Sequence, residues 1–200
     1  MMIKICGITN REDAVAAVEA GASALGFNFY RGSVRYIDPR VASGIAVGLN
    51  VAKVGVFVNE SPAEIARIAE LMGLDVIQLH GDESAETANQ HQGRVWKAFR
   101  VTNGWSAGEL EPYSAEAFLL DAPARGNYGG SGEPFDWTRA RGIKKKIILA
   151  GGLDASNVAD AIKEVRPWGV DSCSRLESSL GRKDHEKMRR FIAAALAENL

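Results

Sequence analysis

Short β-branched or apolar runs return eight times along this chain: IKIC (3–6), ALGFNF (24–29), AKVGVFV (52–58), DVIQLH (75–80), RVWKAFR (94–100), AFLLDA (117–122), KIILAGG (146–152) and WGVDSC (168–173). The stretches between them read as helices. Eight such units in 200 residues leave about 25 residues each, close to the minimum for a strand that must return parallel to its predecessor through a crossover. That arithmetic predicts a compact α/β fold, a (β/α)8 barrel. A doubly wound open sheet usually manages with five or six strands, and the chain lacks both G-x-G-x-x-G after its first strand and a Walker loop.

Local signals support the helices. Thr9 with Glu12 and Ser61 with Glu64 have the spacing of capping boxes, and Pro62 takes a first-turn position. Ile65, Ile68, Ala69 and Met72 form one apolar stripe at i, i+3, i+4 and i+7. The fifth connection, NGWSAGELEPYS, carries the weakest helix signal. RGNYGGSGEP (125–134) reads as a mobile loop rather than a domain boundary, so one domain is expected over residues 1–200.

Acids and bases are interspersed and leave a formal net charge of −1, which argues against a nucleic-acid footprint and a polybasic membrane patch. The expected partner is a small molecule. The start, MMIKICGITN, runs straight into a strand with no apolar targeting segment, and no stretch approaches the roughly 18 apolar residues of a membrane helix. Two cysteines are too few for a disulfide scaffold and favour a reducing, cytoplasmic setting.

In a (β/α)8 barrel the active site lies at the C-terminal ends of the strands. Those ends here hold Cys6, Asn28, Asn59, His80, Arg100, Asp121, Gly151, Gly152 and Asp171. Alternation puts Lys4 and Cys6 on one side of the first strand, and Gln78 and His80 on one side of the fourth. Cys6 and Asp121 end strands on separated parts of the ring, so a thiolate and a carboxylic acid can flank one small substrate; Lys4 is the cation that would favour the thiolate. Cys6 as a small buried hydrophobe and Asp121 as a strand-end cap are the plainer alternatives. GGLDASNV (151–158) and DSCSRLESSLG after the eighth strand occupy the two loops where barrels commonly hold phosphate, though each glycine also suits a tight turn. Arg35, in RGSVRYID, has the planar fork that grips a carboxylate, or is an exposed loop arginine. His80 reads as a hydrogen-bonded pore residue, since no second ligand stands at metal-site spacing, and no metal is expected. Lys144, Lys145 and Lys146 read as a solvated strand entry.

KICGIT (4–9), SVRYIDP (33–39), IQLHGDE (77–83), LLDA (119–122), GGSGEPFDW (129–137), ILAGGLDASNV (148–158) and GVDSCSRLESSLGRKD (169–184), in this order, resemble the phosphoribosylanthranilate isomerases of tryptophan biosynthesis. The resemblance implies a (β/α)8 barrel that performs an Amadori rearrangement on a phosphorylated substrate without metal or organic cofactor, as a monomer or homodimer. It implies Asp121 as general acid at the furanose ring oxygen and Cys6 as general base at C2. It further implies Arg35 on the anthranilate carboxylate and Gly151, Gly152 and the loop near Ser174 around the phosphate; His80, Asp171 and Arg175 complete the candidate binding set. The chain departs from the family pattern at three places: Arg175 replaces a glycine, Val34 a proline, and Glu133-Pro134 a Lys-Thr pair. Independently of the family, Cys6 and Cys173 end strands that become neighbours when the barrel closes, which raises the prospect of a disulfide. Three other readings compete: the histidine-pathway isomerase, which looks to use a carboxylate where this chain has Cys6; a catalytically silent phosphate-binding barrel; and a metal-dependent lyase.

Overall fold

The computed structural model describes residues 1–91, 93–123 and 134–198. Eight parallel strands close into a barrel in chain order: β1 (Met2–Cys6), β2 (Ala24–Asn28), β3 (Ala52–Phe57), β4 (Val76–Leu79), β5 (Val95–Arg100), β6 (Ala117–Asp121), β7 (Ile147–Leu149) and β8 (Gly169–Ser172). Every predicted strand is present; β1 starts one residue before its apolar run, and the other seven are one to four residues shorter, with residues at one or both ends of the run outside the ladder. Helices α1 (Arg11–Glu19), α2 (Pro39–Ala46), α3 (Pro62–Met72), α4 (Ala85–Asn89), α5 (Val158–Val165) and α6 (His185–Ala197) cover the outside. A two-stranded hairpin, β9 (Glu177–Ser179) with β10 (Arg182–Lys183), follows β8 and was not legible in the sequence.

The eightfold helix pattern holds only in part. Among the described residues the fifth and sixth connections carry 3-10 turns, Ala107–Leu110 and Trp137–Ala140, instead of α-helices. The Thr9–Glu12 capping box does not form. Asn10, held extended, is the N-cap of α1 and accepts from the Asp13 amide at 2.9 Å, while the Thr9 hydroxyl is drawn away to donate to the Gly181 carbonyl. Ser61 does cap α3, with Pro62 in the first turn, but Glu64 forks onto Arg67 rather than closing the box. The 125–133 part of the glycine-rich loop, including Glu133, lies outside the described residues. No helix of the described residues is long and apolar enough to cross a membrane.

Strand alternation sorts side chains into two cores. Ile3, Ile5, Leu25, Phe27, Leu79, Phe118 and Leu120 point outward and pack with Ala14, Ala17, Ile65, Ile68, Phe191 and Ile192 of the helices. Ala24, Val54, Val76, Trp96, Ala117, Leu119 and Ile148 point inward and fill the foot of the barrel. Above that apolar plug the inward positions become polar: Lys4, Gln78 and Asp171 are all buried. The same parity carries Cys6, His80, Asp121 and Cys173 to the head of the barrel.

Candidate active site

A cavity of ≈ 250 Å³ opens at the strand C-terminal ends. The candidate catalytic and binding set lines it: Cys6, Arg35, His80, Asp121, Gly151, Gly152, Asp171, Ser174 and Arg175. Asn59 and Arg100, also read as strand-end candidates, are not among its walls.

Its basic side starts at β1. Lys4 is fully buried, and its Nζ lies 2.9 Å from Asp171 Oδ2, its register partner on β8. Burial opposes the ammonium, but Asp171 and the neighbouring Cys6 thiol more than offset it and hold the lysine pKa above its ordinary value. Asp171 behaves differently. Only one of its oxygens is paired; Oδ1 is buried without a hydrogen-bond partner, so burial prevails over the Lys4 charge and pushes the carboxyl up to about 7. Cys6 ends the same strand one turn of the pleat above Lys4. Its pKa is raised by the thiol of Cys173 and by burial, against the pull of Lys4.

The glycine after Cys6 has two reasons to be there. Gly7 has φ +72, a left-handed conformation that side chains rarely adopt, and a Cβ on it would fall 2.7 Å from Arg35 Cδ and 2.9 Å from Cys173 Sγ. The bare backbone thus lets Arg35 and the second thiol close in around the first.

Arg35 is anchored. Its Nε and Nη2 donate to Glu177 at 2.6 and 2.8 Å, a side-on fork that leaves the Nη1 edge for a ligand. Glu177 also accepts from Lys183 Nζ at 3.3 Å; that fully buried ammonium donates in addition to the Cys173 carbonyl at 3.0 Å and sits 3.8 Å from Cys173 Sγ. Burial opposes ionisation of Glu177, yet Arg35 and Lys183 hold its carboxyl below the usual range. Sequence reasoning missed Glu177 and Lys183 as supports because they arrive on the unforeseen hairpin. The only available signal was a charged pair flanking a Gly turn.

The opposite wall is carried by β4 and β6. The Gln78 amide nitrogen lies 2.8 Å from His80 Nδ1, and His80 Nε2 lies 3.3 Å from Asp121 Oδ2. Asp121 Oδ1 accepts from the Ala122 amide at 2.8 Å. The acid candidate is therefore held at Oδ1 by the backbone, with His80 beside Oδ2. Gly151 and Gly152 follow β7 with φ +80 and +64, and a Cβ on Gly151 would lie 2.5 Å from the Ala122 nitrogen. Ser174 and Arg175 begin the 3-10 turn Ser174–Leu176 after β8. Arg175 is half-exposed, and its Nη2 lies 3.2 Å from Asp154 Oδ2, in the loop that follows the two glycines.

A closed eight-stranded parallel barrel with a thiol, an oriented carboxylate and an anchored arginine around one strand-end cavity defines a (β/α)8-barrel enzyme equipped for proton transfer. Comparison with known proteins narrows the class. The family described as N-(5'-phosphoribosyl)anthranilate (PRA) isomerase matches residues 3–194. The N-(5'-phosphoribosyl)anthranilate isomerase of Solibacter usitatus is 51% identical over 199 residues, covering 98% of each chain. The crystal structure of the Thermotoga maritima phosphoribosyl anthranilate isomerase superposes with a TM-score of 0.88 at 40% identity, covering 98% of this chain and 99% of that one. A phosphoribosyl anthranilate isomerase in complex with reduced 1-(o-carboxyphenylamino)-1-deoxyribulose 5-phosphate superposes at 0.84 with 38% identity and the same coverage. This chain belongs to the phosphoribosylanthranilate isomerase family.

Proposed function

We propose that the protein converts N-(5-phosphoribosyl)anthranilate to 1-(2-carboxyphenylamino)-1-deoxyribulose 5-phosphate in tryptophan biosynthesis, with Asp121 as general acid and Cys6 as general base. One observation carries the assignment of roles: the Cys6 thiol and the Asp121 carboxyl stand on different walls of one cavity, with Arg35 beside the former and the Gly151–Gly152 turn beside the latter.

In this reading Asp121 gives its proton to the furanose oxygen. The ring C1–O bond breaks, and the anilino nitrogen lone pair forms the Schiff base. Cys6 then takes the proton from C2, and the C2–H electron pair becomes the C1=C2 bond of the enolamine. Reprotonation at C1 and loss of the C2 hydroxyl proton give the ketone. His80, with Nε2 3.3 Å from Asp121 Oδ2, flanks the acid. The free edge of Arg35 holds the anthranilate carboxylate. Gly151, Gly152 and Ser174 offer backbone N–H groups to the phosphate, and Arg175 supplies a charge-assisted contact from the position it shares with Asp154. The reading takes residues 1–200 as one barrel domain acting on a small phosphorylated substrate in the cytoplasm, where the thiols stay reduced.

The test generates the substrate in situ and follows loss of its fluorescence. Cys6→Ser and Asp121→Asn are each expected to lose at least about a hundredfold in kcat, the size of a general acid or base. Retention of near-wild-type turnover by either variant would overturn the role given to that residue.

A further inference from the structure

Asn59 and Glu83 stand outside the catalytic cavity, yet the heads of β3, β4 and β5 are tied together through them. Along β5, Trp96 and Ala98 point into the barrel, so Lys97 between them points outward, against the loop that follows β4. Its ammonium is buried and has an acceptor for each of its three protons: the Gly81 carbonyl at 2.9 Å, the Ala98 carbonyl at 3.0 Å and Glu83 Oε2 at 3.1 Å. Glu83 is buried too. It accepts the Gly81 amide on its two oxygens at 3.1 and 3.0 Å, and the Asn59 amide on Oε1 at 2.8 Å. Asn59 itself turns into the left-handed region, φ +50, and its side-chain oxygen accepts from the Asp82 amide at 2.8 Å.

We propose that Glu83 and Lys97 are positioning residues for the isomerisation: their buried ion pair clamps the peptide groups on either side of Gly81, and so fixes where the imidazole of His80 meets Asp121. This rests on the reading of Asp121 as acid. The His80 amide donates to the Phe57 carbonyl at 2.8 Å, and the next amide, that of Gly81, goes to Glu83, so the peptides before and after the His80 Cα are both set. The Cβ of His80 then has one direction. Its ring lies with Nδ1 2.8 Å from the Gln78 amide nitrogen and Nε2 3.3 Å from Asp121 Oδ2. Asp121 Oδ1 takes the Ala122 amide, which leaves Oδ2, the oxygen that His80 faces, to carry the proton meant for the substrate.

A buried ion pair is by itself a poor source of stability. What this one supplies is direction, because the ammonium holds the Gly81 carbonyl and the carboxylate holds the Gly81 amide. A misplacement of about 1 Å at a reacting group can cost on the order of a hundredfold in rate. Arg35, Gly151, Gly152 and Ser174, the groups assigned to the carboxylate and the phosphate, come from other loops, so binding should survive a change that impairs the chemical step.

The experiment is a double-mutant cycle on turnover, Lys97→Met against His80→Ala, with kcat and KM measured for wild type, both single variants and the double variant, and the fold of each checked by urea titration. Each single variant is expected to lose about tenfold in kcat, Lys97→Met with KM within about twofold of wild type. Added to His80→Ala, Lys97→Met should cost less than about twofold more, because the ring it positions is gone. Lys97→Met strands the Glu83 carboxylate, so Lys97→Met with Glu83→Gln covers the case in which the single variant does not fold. That neutral pair keeps an oxygen for the Gly81 amide and frees the Gly81 carbonyl; it should lose kcat severalfold and show the same cancellation. Equal losses in the two backgrounds, or an unchanged kcat in the folded variants or in His80→Ala, would show that the pair only holds the fold, and the proposal would be wrong. Near-wild-type turnover by Asp121→Asn would instead remove the acid reading and this proposal with it, an outcome distinguishable because it is read without touching Glu83 or Lys97.

Discussion

Replacing Lys4 by methionine separates what the buried charge does for the fold from what it does for the thiol. Lys4 Nζ lies 2.9 Å from Asp171 Oδ2, with the lysine fully buried and the carboxylate nearly so. Removing one partner of such a pair typically costs about 3–5 kcal/mol, because the other charge is left stranded. For a chain of this size that is a fall in Tm on the order of 10 °C. The deficit should depend on pH in a defined direction. Asp171 already has its pKa raised to about 7, above the ordinary aspartate value near 3.9, so the folded variant takes up a proton as pH falls and the deficit shrinks; it grows as pH rises through 7 and above. Activity should follow a different rule. A unit cation at about 4 Å from a thiolate is worth up to roughly 4 kcal/mol at an effective dielectric of 20, and even half of that exceeds one pH unit of thiol acidity. Lys4→Met is therefore expected to lose ten- to a hundredfold in kcat/KM at pH 7. The decisive variant is Lys4→Met with Asp171→Asn, a neutral pair that should regain most of the stability in urea titrations without regaining thiol reactivity or turnover. Recovery of both together would refute the argument, since Lys4 would then act only by neutralising Asp171.

Glu177→Gln keeps the shape of the Arg35 anchor but removes its charge; KM should rise about three- to tenfold while kcat changes less, and an unchanged KM would show that Arg35 needs no anchor. Gly7→Ala must place a side chain at φ +72 and against Arg35 and Cys173, so urea titration should show a loss of about 2 kcal/mol or more, with turnover falling too. Peroxide is expected to join Cys6 and Cys173 with loss of their two thiol hydrogens, seen by intact mass, and to inactivate the enzyme until a dithiol is added; unchanged peroxide sensitivity in Cys173→Ser would count against that bridge.

Strands were the legible part of this sequence because each is a short apolar run whose inward and outward residues follow a period of two. That parity also grouped part of the site: alternation put Lys4 with Cys6 and Gln78 with His80, Asp121 was read as a strand end, and Cys6, His80 and Asp121 line the cavity, with Lys4 and Gln78 buried below them. Caps were less legible. Thr9 and Asn10 are both good caps, and the choice between them is made by Gly181, distant in sequence and able to accept the Thr9 hydroxyl only after the hairpin has formed. The supports of the site were illegible for a related reason. Nothing in GRKD announces that Lys183 will be buried beneath Cys173, or that Glu177 will reach back to Arg35, because both depend on a β9–β10 pairing of only a few residues. Arg175 was visible as a departure from the family pattern, but its tie to Asp154 required the folded loop.

The outer shell of the barrel is uneven among the described residues: β1, β7 and β8 are followed by the α-helices α1, α5 and α6, whereas β5 and β6 are followed by 3-10 turns of four residues each. Local opening takes the least covered elements first. Amide hydrogen exchange should therefore be fastest along β6, the strand that ends in Asp121, and slowest along β1, whose end bears Cys6 above the buried Lys4–Asp171 pair. With the roles proposed above for Asp121 and Cys6, mild heat or denaturant would take the acid before the base, through a form that still presents the thiol but has lost ring opening.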